Sequence, residues 1–351
     1  MSRTFLFLLV ASAASSCLTP IDTTMKQCPC APGFVCDSSQ NRCITEACTA
    51  GVRAEDFRAE WATSNAIRFR WTPTGDRTQL VRYELRVAAS LDELGTGSAR
   101  VYATAENPEL GGFALPRTGV TEDLVDGTTA WGLTPQRSYV AQLLVFDTSL
   151  CVFRTPTVGR ATTFDLPDKV VLFEDVRASN YLPSSIRDVP DVGDGGPGRH
   201  LEWTPNLDPE CIATPHTSCG NFLRLRDLST DLEPVTGGSF TTAFVELKVA
   251  NESTVPHFYA HLRLMLVDDA GGCGEVYSFV PFAMPATGSY YRVQVPLSAF
   301  KGQGRYLTAD DLDPARGGTR LCEFGLHHFM SRLAADGGWA RVLIDDVRVR
   351  Y

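Results

Sequence analysis

The chain is predicted to be all-β, a small cysteine-rich knob followed by two β-sandwiches. Three observations lead there. Apolar and polar residues alternate with a period of two along most of the chain, from Ile67-Arg68-Phe69-Arg70-Trp71 to Tyr291-Arg292-Val293-Gln294-Val295, and no stretch of helical period competes. Gly, Pro and Asp cluster between these runs, most clearly at Gly193-Asp194-Gly195-Gly196-Pro197-Gly198. Several of the eleven cysteines crowd between Cys28 and Cys48, a stretch too short to fold around an apolar core of its own.

Residues 1–17 have the order of a secretory signal peptide. Arg3 is followed by the apolar run Phe5-Leu6-Phe7-Leu8-Leu9-Val10-Ala11, which is too short to span a bilayer, and then by Ala14-Ser15-Ser16-Cys17. Small residues before a cysteine resemble the lipobox of bacterial lipoproteins. That resemblance implies export and lipidation of Cys17, and Leu18 in place of Asp implies the outer membrane or cell surface. Without the lipid the protein would be secreted or periplasmic. No later apolar run approaches the ~20 residues of a membrane helix, so any attachment goes through Cys17. A net charge of −9 argues against nucleic acid and anionic membrane surfaces as partners. A monomer is expected. Setting Cys17 aside leaves an even number of cysteines, suited to disulfides in an oxidising compartment.

Residues 18–27 read as a tether and residues 28–48 as the knob. Cys28, Cys30, Cys36, Cys43 and Cys48 lack the paired spacing of a zinc site, so disulfides must substitute for a core, each contributing ~2–4 kcal/mol. The stretch Cys30-Ala31-Pro32-Gly33-Phe34-Val35-Cys36 resembles EGF-like modules. An odd number of cysteines here requires one partner outside the knob.

Across 49–166, Ile67, Phe69 and Trp71 alternate with Arg68 and Arg70, and Tyr83, Leu85 and Val87 with Arg82, Glu84 and Arg86. Trp71 with Pro73, Tyr83 opening the next strand, and Leu133-Thr134-Pro135 ahead of Tyr139 resemble a fibronectin type III domain. The resemblance implies a sandwich with Tyr139 as its tyrosine corner. It also implies that Cys48 and Cys151 meet at one pole and pair, leaving the other four knob cysteines to pair among themselves. Between Ser90 and Asp126 the chain is longer than that pattern needs, so an insertion or extra strand is expected.

Residues 167–351 hold nine candidate strands, Val170–Asp175, His200–Trp203, Asn221–Arg226, Phe240–Ala250, Phe258–Val267, Val276–Phe282, Tyr290–Leu297, Leu321–Phe329 and Ala340–Val349. That number in this length reads as a jelly roll. The phrases Tyr291–Phe300 and Val342–Val349 resemble the late strands of galactose-binding-like jelly rolls, the fold of many carbohydrate-binding modules. Cys211, Cys219, Cys273 and Cys322 allow three pairings, of which Cys211–Cys219 with Cys273–Cys322 is preferred.

Catalytic signatures are missing. There is no nucleophile elbow, P-loop or dinucleotide fingerprint, and His257 and His261 lack the glutamate of a zinc protease helix. Asp188, Asp191 and Asp194 are spaced by three rather than two, as turn carboxylates rather than a calcium loop. The chain is therefore read as a non-enzyme. Asp345 shares a strand face with Leu343, Val347, Val349 and Tyr351, and burying that charge alone would be costly. The resemblance to jelly-roll binding modules implies a structural calcium there, shared with a first-strand carboxylate that Glu174 or Asp175 could provide; a hydrogen bond or salt bridge to Asp345 is the alternative. For a ligand, the alternation places Tyr259, His261 and Arg263 on one face of their strand, with Glu323 and His327 on the next, and Arg224 and Tyr277 beside them. Such a mixture of ring, cation, imidazole and carboxylate suits sugars. The expected function is a lipid-anchored surface protein that binds a glycan or another surface polymer. A structural cell-envelope component is the alternative, and a polysaccharide hydrolase comes third.

Overall fold

The computed structural model describes residues 27–31, 34–37, 41–45, 51–104, 107–111, 126–148, 152–156, 158–168, 170–172, 178–180, 185–190, 199–204, 220–225, 240–252, 258–267, 270–278, 282–284, 288, 290–302, 304–316, 318, 321–329 and 341–351. The signal peptide, the lipobox Cys17, the tether up to residue 26, Cys48, Cys151, Cys211 and Cys219 lie outside them, as do the side chains of Cys273 and Cys322.

The protein is all-β, every strand pair among the described residues being antiparallel. The knob is a hairpin of β1 (Phe34–Asp37) and β2 (Arg42–Thr45). Two disulfides close it, Cys28–Cys36 and Cys30–Cys43. Val35, buried, inserts among Leu144, Phe146 and Val152 of the neighbouring sandwich. Arg86 then donates to the Cys36 carbonyl at 2.8 Å, while Glu84, fully buried, accepts from Arg86 at 2.9 Å. The knob is thus held by an apolar plug and a buried ion pair, whatever Cys48 and Cys151 do.

The first sandwich runs through β3 (Arg53–Ala62), β4 (Ile67–Thr74), β5 (Leu80–Ala88), β6 (Arg100–Tyr102), β7 (Asp126–Ala130), β8 (Ser138–Asp147), β9 (Val152–Arg154) and β10 (Gly159–Thr162). One sheet is β3-β4-β7 and the other β10-β8-β5-β6, with β9 also on β8. Ile67, Phe69, Trp71, Tyr83, Leu85, Leu143 and Val145 form the core between them, as the alternation requires. Tyr139 Oη accepts from the Thr134 N–H at 2.9 Å, tying the turn before β8 to that strand. Between Ser90 and Asp126, where an extra strand was a possible reading, the chain forms the short helix α1 (Leu91–Thr96), β6 and a 3-10 turn at Pro108–Gly111. Ser90 caps the helix by accepting from the Glu93 N–H at 3.2 Å, and the Glu93 carboxylate accepts from the Ala89 N–H at 3.0 Å. A single capped turn is too short to register as a helical period.

The second sandwich comprises β11 (Val170–Leu172), β12 (Ala178–Asn180), β13 (Ser185–Pro190), β14 (Arg199–Thr204), β15 (Gly220–Leu225), β16 (Phe244–Asn251), β17 (Phe258–Val267), β18 (Cys273–Ser278), β19 (Phe282–Met284), β20 (Tyr291–Pro296), β21 (Lys301–Gly302), β22 (Arg305–Tyr306), β23 (Leu321–Phe329) and β24 (Val342–Arg350). A six-stranded sheet, β13-β14-β24-β16-β20 with β11 on β24, faces an eight-stranded one, β12-β15-β23-β17-β18-β21-β22 with β19 on β17. Trp203, Val245, Leu247, Val249, Leu262, Leu264, Val293, Val295, Phe324 and Leu326 fill the space between. Asp188 lies within β13, opposite Leu201, and not in a turn.

The two sandwiches are joined through one buried carboxylate. Glu246 stands on the face of β16 away from the core and is fully buried. It accepts from Gln294 Nε2 at 2.5 Å and Arg292 Nη1 at 2.7 Å, and pairs with Arg348 Nε and Arg350 Nε at 3.3 Å each. Gln294 Oε1 in turn accepts from Ser64 Oγ at 3.0 Å and the Asn65 N–H at 3.1 Å, both in the β3–β4 turn of the first sandwich. Arg350 also reaches the carbonyl of Pro167 in the linker at 3.5 Å. Trp61 and Trp131 pack partly buried against the second core.

Removing Glu246 strands three guanidinium groups around an empty site, and a broken buried pair costs about 3–5 kcal/mol. Glu246→Ala should therefore lower the denaturant midpoint of the second sandwich by an amount worth about 3 kcal/mol, with Glu246→Gln milder; an unchanged midpoint would contradict the assignment. Val35→Asp should free the knob, measured as faster proteolysis ahead of Val52 with the first sandwich's melting unchanged.

Candidate binding face

The outward side of the eight-stranded sheet follows from what its strands bury. Leu262 and Leu264 of β17, and Phe324 and Leu326 of β23, all belong to the core. Arg263 and Gly325 between them therefore occupy the opposite face. The ladders extend that position into one row across seven strands. Ser179 pairs with Arg224, Arg224 with Gly325, and Gly325 with Arg263. Arg263 pairs with Ser278, Ser278 with Lys301, and Lys301 with Tyr306. At one end of the row Lys301 Nζ stands 5.6 Å from the ring centroid of Tyr306, which is 51% exposed.

The flanking rows hold most of the other residues singled out in the sequence. His261 and His327 are registered opposite each other, with Phe222 on the far side of His327. Glu323 is opposite Met265, on the other side of the arginine row. Tyr259 keeps the parity of His261 and Arg263 and pairs with Ala283. Tyr277 is the exception: it is registered opposite Leu264, a core residue, and Ser278 takes the position beside Arg263. The hairpin between β17 and β18 turns one residue away from the register that the alternation alone suggested.

Two features of the face were absent from the sequence-based expectation. Gly325, in the middle of the row, brings no side chain between two arginine positions, and glycine within a strand often marks close approach by a ligand or another backbone. Its signal was available as a lone glycine inside the apolar strand Leu321–Phe329. The second feature is the Lys301–Tyr306 edge, formed by strands of two residues each, too short for any periodicity to show.

The expected calcium position has a different environment from the one inferred. A bulge in β24 places one extra residue opposite Leu247, between the pairs Glu246–Arg348 and Lys248–Asp345. Val342 and Ile344 face the core before it, and Val347 and Val349 after it, so Asp345 does not share the core face of the last two. Its carboxylate accepts from Lys248 Nζ at 3.3 Å. Glu174 and Asp175 lie outside the described residues, among which no group of three or more His, Cys, Asp or Glu is arranged to hold a metal.

No protein-family model and no curated protein matches the chain. Solved structures give loose likenesses. One, described as carbohydrate-binding modules from the β-sandwich superfamily, is 13% identical and covers 85% of this chain and 97% of its own, with a TM-score of 0.32. A family 11 carbohydrate-binding module from Clostridium thermocellum, in complex with a β-1,3-1,4-mixed-linked tetrasaccharide, is 9% identical over 53% and 96%, with a TM-score of 0.33. SGBP-B from a xyloglucan utilization locus in Bacteroides uniformis is 10% identical over 91% and 85%, also with a TM-score of 0.33. Likeness of this degree adds nothing to the strand order above, from which the fold is read directly.

A calcium ion at Asp345 would compete with the Lys248 ammonium for its carboxylate. The pair predicts the same melting temperature in calcium and in chelator; a rise of several degrees in calcium would identify an ion site there instead.

Proposed function

We propose that the chain is an exported binding protein that holds a glycan or another surface polymer along the outward face of its eight-stranded sheet. The observation that carries the reading is the row Ser179, Arg224, Gly325, Arg263, Ser278, Lys301 and Tyr306, one continuous line across seven strands with a glycine at its middle. An extended chain laid along it would run past the half-buried Arg263 and Lys301 to the exposed ring of Tyr306 at the edge of the sheet. A polymer fits such a line better than a small ligand, because the groups are spread in one direction and not gathered around a point.

In this reading Cys17 carries the lipid, residues 18–27 keep the folded part off the membrane, and the first sandwich with its knob serves as a spacer. The Glu246–Gln294 joint supports that role, since it fixes the spacer to the binding sandwich through buried polar contacts. No chemical step is assigned to any residue.

The test is a polysaccharide array probed with the chain from residue 18 onward. Binding to at least one polymer is expected. Tyr259→Ala combined with Arg263→Ala should abolish it with the circular dichroism spectrum unchanged. Tyr306→Ala, at the exposed edge of the row, should weaken it about tenfold or more without lowering the melting temperature. Binding that survives both variants would place the site elsewhere.

A further inference from the structure

We infer that the first sandwich carries a binding site of its own, for a tetrahedral oxyanion such as phosphate or sulfate, on the outward face of the sheet β3-β4-β7. It stands apart from the polymer face of the second sandwich, and either reading can fail without the other.

The ladders assemble the site. Ala62, Ile67 and Phe69 belong to the core, so their alternates point outward. Arg58 is registered opposite Arg70, and Arg70 opposite Gly127; in the next outward row Trp61 is opposite Arg68, and Arg68 opposite Thr129. Like charges directly opposite each other destabilise a sheet, so this face gains from an anion. The chain supplies one. A bulge between Ala59 and Trp61 inserts Glu60. Its Oε2 accepts from Arg68 Nε at 3.1 Å and its Oε1 from Arg70 Nη1 at 3.2 Å. One carboxylate thus serves two guanidinium groups, with a single bond to each in place of the two-bond fork. Arg58 is exposed and donates from Nη1 to the Asp56 carbonyl at 3.0 Å. Glu55, also exposed, stands one row farther out opposite Thr72 and accepts from Thr74 Oγ1 at 3.4 Å.

Two observations call for a further acceptor. Arg68 is 1% exposed, and its Nη2 is buried with no hydrogen-bond partner among the described residues. Its Nη1 reaches only Thr129 Oγ1, at 3.5 Å. A buried charged donor left unmet is costly. Gly127 brings no side chain to it, and a Cβ there would stand 3.1 Å from Nη2 and 2.8 Å from the Phe69 carbonyl oxygen. Arg68 forms the floor of the site. The mouth lies toward Arg58, where the side chains of Arg70 and Glu60 are 31% and 20% exposed. The Cα atoms of the three arginines lie about 5–8 Å apart, so their long side chains can meet over one point. Donors at three corners suit an anion that sets three oxygens on them, as phosphate and sulfate do. A carboxylate has two oxygens in one plane and is best held by one intact fork.

The experiment is calorimetric titration of the chain from residue 18 onward with inorganic phosphate, inorganic sulfate and acetate at constant ionic strength. Phosphate or sulfate should bind saturably, one per chain, and at least about tenfold more tightly than acetate. Arg58→Gln and Arg70→Gln, both at the mouth, should each weaken binding about tenfold with the circular dichroism spectrum unchanged. Glu60→Gln removes the competing negative charge and should tighten it. Methyl phosphate and methyl sulfate identify the source: esters that bind as well as the free ions point to a group carried on a larger molecule, weaker esters to the free ion, and the site stands in both cases. The inference is overturned if neither ion binds saturably, if both arginine variants bind as the parent does, if Glu60→Gln binds no more tightly, or if acetate matches the better ion.

Discussion

A single buried carboxylate organises the larger part of this molecule. Glu246 is sealed from water on the face of its sheet that points away from the core, where a charge survives only with full compensation. Arg292, Arg348 and Arg350 supply it, from both strands that flank β16. Gln294 uses its amide nitrogen on Glu246 and its carbonyl on Ser64 and Asn65, so the same cluster fastens the first sandwich. Arg350 ties in the linker as well. Trp61 and Trp131 add apolar contact with the second core, and the polar cluster fixes the relative position of the two sandwiches, because directional hydrogen bonds tolerate little sliding.

The joint uses the six-stranded sheet, and the candidate binding row lies on the other one. Spacer and binding surface thus occupy opposite layers of the same sandwich, and the core between them transmits the rigidity. The knob follows the same logic on a smaller scale. Two disulfides stand in for the core it cannot build, and Val35 with the Arg86 hydrogen bond seats it on the first sandwich.

How much of this could be read from the sequence differs by level. Strand identity was legible wherever one face is buried and the other is not, as in Phe258–Val267 and Leu321–Phe329, whose bounds match those observed. Strands of two or three residues, such as Ala178–Asn180 and Lys301–Gly302, carry too few positions for a period to show. Glu84, which alternates with the core residues Tyr83 and Leu85, is buried because the knob covers its face of the strand. The near-continuous apolar run Val140 to Phe146 on its partner strand was the available sign that both faces are covered. Asp345 was misplaced by a bulge, which alternation cannot foresee, and Tyr277 by a hairpin register that depends on turn geometry. Within the site, the membership of Arg224, Arg263, His261 and His327 in neighbouring rows followed from the pairing of their strands, whereas Gly325 drew no notice because it offers no functional group.

The central claim is one of place: a polymer lies across the strands of the eight-stranded sheet, along a line through Gly325. Hydrogen–deuterium exchange of the whole chain, with and without a bound polysaccharide, tests it most directly. Protection is expected within 221–225, 259–265, 276–278 and 323–327 and at the 301–306 edge, with the first sandwich unchanged. Protection confined to the turns at one pole of the sandwich, or to the first sandwich and knob, would contradict the account.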